Sequence, residues 1–156
     1  VSISGTLSVD RDASIEQLDI FSDGSINLKA GKTLTITNNA TFEGDIDFSG
    51  SSTLALADSA VLTGNDGFIF GGHTVSLGDF SKVLINSASM TSSDASITSG
   101  SSGIFEILTG GIFTISAGDI LVPIFNAGTF NVHSSVGDGG STLNCTAGSS
   151  LVINSD

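Results

Sequence analysis

The chain has very few cations. Four Lys and Arg residues (Arg11, Lys29, Lys32 and Lys82) stand against 16 Asp and Glu, for a formal net charge of −12. A nucleic-acid backbone is held by several Lys or Arg contacts that release counterions, and an anionic membrane surface also attracts clustered cations. Neither is expected as a partner. The single cysteine, Cys145, excludes a disulfide within the chain, and with it a disulfide-stapled scaffold. Trp and Tyr are missing, which removes the amphipathic rings best suited to stacking on sugars. The longest apolar run, residues 120–125 (ILVPIF), falls far short of the ~20 residues that span a bilayer. Direct membrane insertion is therefore not expected. The opening VSISGTLSVD has no basic segment followed by an apolar core, so it does not read as a signal peptide. It begins as if within a repeat, and the expectation is a mature or excised piece of a longer protein.

Helix patterning is nearly absent too. Only DASIEQLDIF, with Ile15, Leu18 and Phe21 at helical spacing, suggests a helical turn. What the chain does have is apolar material, at 39% of residues with a mean hydropathy of +0.36. Charged residues make up 13%, against about 25% in ordinary soluble domains. The polar surface must then be built from Ser, Thr, Asn and Gly. Such a surface suits an extracellular or cell-surface protein.

The apolar residues come in short bursts at period two: Leu34/Ile36, Ile46/Phe48, Leu54/Leu56, Phe68/Phe70, Val75/Leu77 and Val83/Ile85. Each burst places its apolar side chains on one side of a strand. A longer period organises them. Ile26 to Phe48 and Phe48 to Phe70 are each 22 residues, Leu34 to Leu54 is 20, and Leu54 to Val75 is 21. Val83 to Phe105 and Ile85 to Ile107 are again 22. Three short strands per 20–22 residues describe one coil of a three-sided parallel β-solenoid, and 156 residues predict about seven coils in one domain, 1–156. The parallel-crossover preference predicts a right-handed coil. The expected core ladders are Ile26–Phe48–Phe70, Ile36–Leu56–Leu77 and Ile85–Ile107. Stacking explains the surface as well, since charges repel when laid in columns whereas Ser, Thr and Asn do not. Gly, Asn, Asp and Ser supply the corners. Looser register or longer corners are predicted near 87–103 and 133–141.

The phrases GTLSVD, GKTLTITNNATFEGDIDFSG and STLALADSAVLTG give the chain a resemblance to the stalks of right-handed β-helix surface proteins, such as autotransporter passengers and filamentous-haemagglutinin-like adhesins. The resemblance implies an exported, non-catalytic scaffold serving adhesion or a fibre. A solenoid edge is a ready template for β-augmentation, so self-association, lateral or end to end, is an expected partnership, with a host or cell-surface protein or glycan the other.

Parallel β-helices also include sugar-cleaving enzymes, so the carboxylates need weighing. Asp10/Asp12 and Asp45/Asp47 are i, i+2 pairs with the spacing to hold Ca²⁺ or to supply two acids for glycoside hydrolysis. Outward or corner positions that keep a rod soluble account for them equally simply, and no cofactor, metal or catalytic role is assigned. His73 and His133 are not near each other in the repeat register, neither sits beside Ser or Cys in a nucleophile motif, and both are expected at corners or on the surface. Cys145 alternates with Leu143 and is expected to point inward. GDGGST at 137–142 is a single scrambled copy of a calcium-binding Gly/Asp repeat and reads as a turn. The sequons at Asn39 and Asn144 are the number chance supplies in so Asn- and Ser/Thr-rich a chain. A further alternative is an ice-binding solenoid. Thr33, Thr35 and Thr37 alternate outward, but the equivalent Thr53, Ala55, Ala57 and then Thr74, Ser76, Gly78 do not keep the array.

Overall fold

The computed structural model describes residues 1–48, 51–65, 69–70, 74–86, 89–92, 95–100, 102–133, 136–137 and 142–154. These residues form 21 strands and no helix. Every strand pairing is parallel, and the windings form a β-solenoid of about six turns. At about 4.8 Å per winding the rod is roughly 30 Å long.

Three ladders run along the rod. The first face carries β1 (Ser2–Ile3), the second halves of β3 (Ala13–Ile20) and β5 (Thr33–Phe42), then β8 (Val61–Gly64), β11 (Lys82–Ile85), β14 (Ile104–Ile107), β17 (Ile124–Asn126) and β20 (Leu143–Cys145). The second face carries β2 (Thr6–Val9), β4 (Ser25–Leu28) and β6 (Asp45–Phe48). It continues through β9 (Ile69–Phe70), β12 (Ser89–Ser92), β15 (Ile112–Ile115), β18 (Thr129–His133) and β21 (Ser150–Asn154). The third face takes the first halves of β3 and β5, then β7 (Thr53–Leu56), β10 (Thr74–Leu77), β13 (Ala95–Ser99), β16 (Gly118–Ile120) and β19 (Val136–Gly137).

The inward residues form one apolar column. Leu34, Leu54 and Val75 are stacked and fully buried, and Ile36, Leu56 and Leu77 form the neighbouring row. On the first face Val83 stands on Phe105 and Ile85 on Ile107. Burying such a side chain contributes on the order of 2 kcal/mol, and repetition at each winding is what holds the rod together. The aromatic stack lies further along, where Phe113 and Phe130 are in register with nearly parallel rings 5.6 Å apart.

Two expectations need correcting. Ile26 stands on Ile46, and Phe48 stands on Leu28, so Ile26 and Phe48 belong to adjacent rows. The winding is 20 residues long there rather than 22, and a two-residue slip keeps the inward parity while changing the partner. Phe70 is opposite Ser92. DASIEQLDIF is also not helical: Ala13–Ile20 is a strand that turns from the third face to the first through an irregularity between Ile15 and Gln17. Its inward residues, Leu18 and Ile20, are fully buried on the first face, and side-chain packing overrides the helical spacing.

Corners close by backbone bonds and by close approach. Where the first face meets the second, a Cβ on Gly44 would overlap the carbonyl oxygens of Gly24 and Phe21, so this stacked corner admits only glycine. Gly128 lies in the same relation to the Gly111 and Leu108 carbonyls. Where the third face meets the first, the turns at 57–60 and 78–81 place Ser59 (φ 63) and Phe80 (φ 59) in the left-handed region. Asp79 N–H donates to Asp58 Oδ1 of the preceding winding at 2.9 Å, and Phe80 N–H to Ser102 Oγ of the next at 3.2 Å.

Candidate functional site

The interior is filled, so chemistry has to be sought on the outward positions. The three faces differ there. The third is a flat array of small side chains. One column reads Thr33, Thr53, Thr74 and Ser96, the other Thr35, Ala55, Ser76 and Thr98. Residues on one side of a strand are about 6.7 Å apart and windings about 4.8 Å apart, so the two columns make a regular lattice of hydroxyls with Ala55 its one interruption. Thr37 lies past the paired stretch and is exposed. The register thus extends the array by Ser96 and Thr98, which the sequence comparison of three windings did not include.

The second face is polar and laced between windings along much of its length, and its later windings expose Ile112 on β15 and Leu151, Val152 and Ile153 on β21. Thr6 and Ser25 hydroxyls lie 2.9 Å apart, and Asn131 Nδ2 donates to Thr114 Oγ1 at 3.1 Å. Such ladders hold a surface in place without charge.

The first face is different in kind. Its outward positions carry Val61, Lys82, Leu84, Ile104, Glu106 and Phe125. The adjoining corner adds Phe80, 71% exposed, and Leu121, 44% exposed. Sequence reasoning missed this patch, although a signal is present: KVLI, IFEI and ILVPIF are apolar at both parities, as a strand is when its outer side is also apolar. It also missed Asn126, which is fully buried on an inward position between Ile107 and Cys145. Asn126 Nδ2 donates to the Ser150 carbonyl at 2.9 Å and its Oδ1 accepts from Gly128 N–H at 3.1 Å, so its amide ties two corners together from inside.

The candidate acids are not gathered. Asp10 is exposed and faces only the exposed Arg11 guanidinium, at 3.8 Å. Asp12 Oδ1 accepts from Thr33 N–H of the next winding at 2.9 Å, which is a corner bond. Asp45 and Asp47 stand on β6 opposite Ser25 and Asn27, with β4 between them and β2, which precedes Asp10. Among the described residues no group of three His, Cys, Asp or Glu side chains converges. His133 ends β18 opposite Asn154 and is half-buried. His73 lies outside the described residues, as do residues 138–141 of GDGGST. Cys145 keeps the inward register opposite Asn126, but is exposed rather than buried. Among the described residues β20 pairs with β17 alone. In the sequons, Asn39 is exposed on β5 and Asn144 on β20.

No family model, curated protein or solved structure matches the chain. The β-helix part of the resemblance stands on the parallel windings themselves: this is a parallel β-solenoid repeat protein.

Proposed function

We propose that the chain is a non-enzymatic structural and adhesive module of the cell exterior, a stiff spacer in an adhesin, fibre or filament that makes contact through its outer faces. The observation that carries this reading is the first face, where exposed Phe80, Leu121 and Phe125 and half-buried Leu84 and Ile104 interrupt an outer surface rich in Ser, Thr and Asn. Contiguous exposed apolar surface of this sort marks contact with another molecule. The scarcity of cations and the absence of Trp and Tyr favour a scaffold over a sugar-cleaving enzyme.

The test is a pair of assays on the same preparation. Beads coated with the chain should be retained on cell surfaces or glycan arrays, while acidic polysaccharides incubated with it, with and without Ca²⁺, should stay intact. Turnover that disappears in Asp45→Asn or Asp47→Asn would replace the scaffold with a lyase or hydrolase.

The third face favours a second reading, an ice-binding solenoid. A flat, regular lattice of hydroxyl and methyl groups suits an ordered water surface. Thermal hysteresis abolished by Thr53→Lys and Thr74→Lys would establish it. Hysteresis indistinguishable from a buffer control would remove it.

A further inference from the structure

We propose that the first outer face pairs with the same face of a second copy of this chain; the proposal rests on the scaffold reading above and names its contact surface. Three successive windings build the patch. Lys82 and Leu84 alternate along one, with Phe80 in the turn that leads into it, Ile104 and Glu106 stand beside them on the next, and Phe125 stands beside Glu106 on the one after, with Leu121 at the corner that precedes that strand. Ile104 is the centre of this grid. Lys82 and Glu106 lie diagonally across from each other, and neither has an ion-pair partner within the chain among the described residues.

That pattern is complementary to itself. With steps of about 4.8 Å between windings and about 6.7 Å along a strand, the line through Leu84 and Ile104 is a diagonal of the grid, with Lys82 and Glu106 on either side of it. A second copy turned over about that line lays its Glu106 against Lys82 and its Lys82 against Glu106. The same operation brings Phe80 towards the partner's Phe125, while Ile104 meets its own counterpart. A two-fold contact uses each pair twice, which is the economy of an isologous interface. A partner of unrelated sequence has no reason to match this diagonal.

Phe80 supplies independent support. It holds a left-handed φ of 59, which is an outlier for a bulky residue, and 71% of its surface is open to solvent. The corner imposes this φ, as it does on Ser59 one winding earlier, but nothing in the turn calls for a large ring there, so an exposed Phe kept at that position points to use rather than to packing. The grid itself measures roughly 10 Å by 13 Å between backbone positions, small beside the ~800 Å² each partner buries in a standard interface. The pairing is therefore weak and depends on concentration, as suits modules tethered side by side.

Sedimentation equilibrium of the full chain at physiological salt, where repulsion between copies of net charge −12 is screened, tests this over a wide concentration range. The mass should rise from monomer towards dimer. Lys82→Glu and Glu106→Lys should each raise the dissociation constant about tenfold or more, since like charges then face each other. Mixing the two variants in equal amounts should restore association as a heterodimer, because each mutant residue meets its opposite on the other chain. Lys82→Gln should fall between wild type and Lys82→Glu, and Ile104→Lys should abolish association. A mass that stays monomeric throughout, single reversals without effect, or a mixture that does not recover would each overturn the pairing. A monomer that still adheres without turnover removes the pairing alone; turnover removes the scaffold reading, whatever the mixing experiment gives.

Discussion

The first and third faces share one backbone and carry opposite surfaces. Both are parallel ladders, both send Leu, Ile, Val or Phe inward at alternate positions, and their inward residues are equally inaccessible to water. Outward, one shows Thr, Ser and Ala, and the other Lys, Glu, Leu, Ile and Phe. The ladder thus constrains its two sides very differently. Inside, Asn126 is satisfied by its corner bonds and Ser81 by the Gly78 carbonyl, while the buried Ser52 hydroxyl is the exception among the described residues. Outside, the fold asks only that neighbours in a column tolerate one another, and the third face meets that demand with like on like. The first face departs from it: Lys82 stands between Val61 and Ile104, a sequence of neighbours that stacking does not explain. Where the fold leaves a choice open, an unusual choice reports on function.

The most direct way to break the comparison is at the shared interior. Leu54→Ala on the third face and Leu62→Ala on the first remove fully buried side chains from equivalent layers. Each should cost about 3 kcal/mol in denaturant unfolding, from lost burial and the cavity left behind. A difference between them larger than about 2 kcal/mol would mean that the faces differ inside as well as outside. The next largest effect belongs to the corner that ends the first face. Gly128→Ala puts a methyl group into the Gly111 and Leu108 carbonyls, and a rigid ladder cannot move aside for it. A loss of about 2 kcal/mol is expected, comparable to overpacking a core. No measurable change would show that these windings can slide apart.

The comparison also shows what the sequence made legible. Inward columns were readable because burial forces a period of two and stacking forces a period near 21, so that Leu34, Leu54 and Val75 announce one another. The Ile26 row was misaligned because the second face steps by 19 and then 20 residues there, from Leu7 through Ile26 to Ile46, and a fixed period of 22 skips past the partner. Corner chemistry was readable in type but not in bond: nothing in the string shows that Asp12 serves Thr33 twenty-one residues later. The apolar first face escaped because an outward Leu84 or Ile104 looks, in sequence, like one more strand residue. Only the register shows that these residues adjoin Phe125 and not the core.

The smallest expected effect is the most discriminating, because it should carry two opposite signs. At Phe80 the backbone holds φ 59, which costs a non-glycine residue on the order of 1–2 kcal/mol. Phe80→Gly relieves that strain, while the added freedom of glycine in the unfolded chain returns about 0.4–1 kcal/mol. The ring is mostly exposed, so little burial is lost. The isolated chain should therefore gain about 0.5 kcal/mol or slightly more in denaturant unfolding. Ser59, one winding below with φ 63, is the control: Ser59→Gly should give a similar gain without touching the grid. If the first face is a contact surface, Phe80→Gly must also weaken association in the sedimentation experiment, whereas Ser59→Gly must leave it unchanged. Stability and association moving together at Phe80 would leave the strained ring without a role in pairing. Moving apart, they identify a residue retained for what it touches in another molecule.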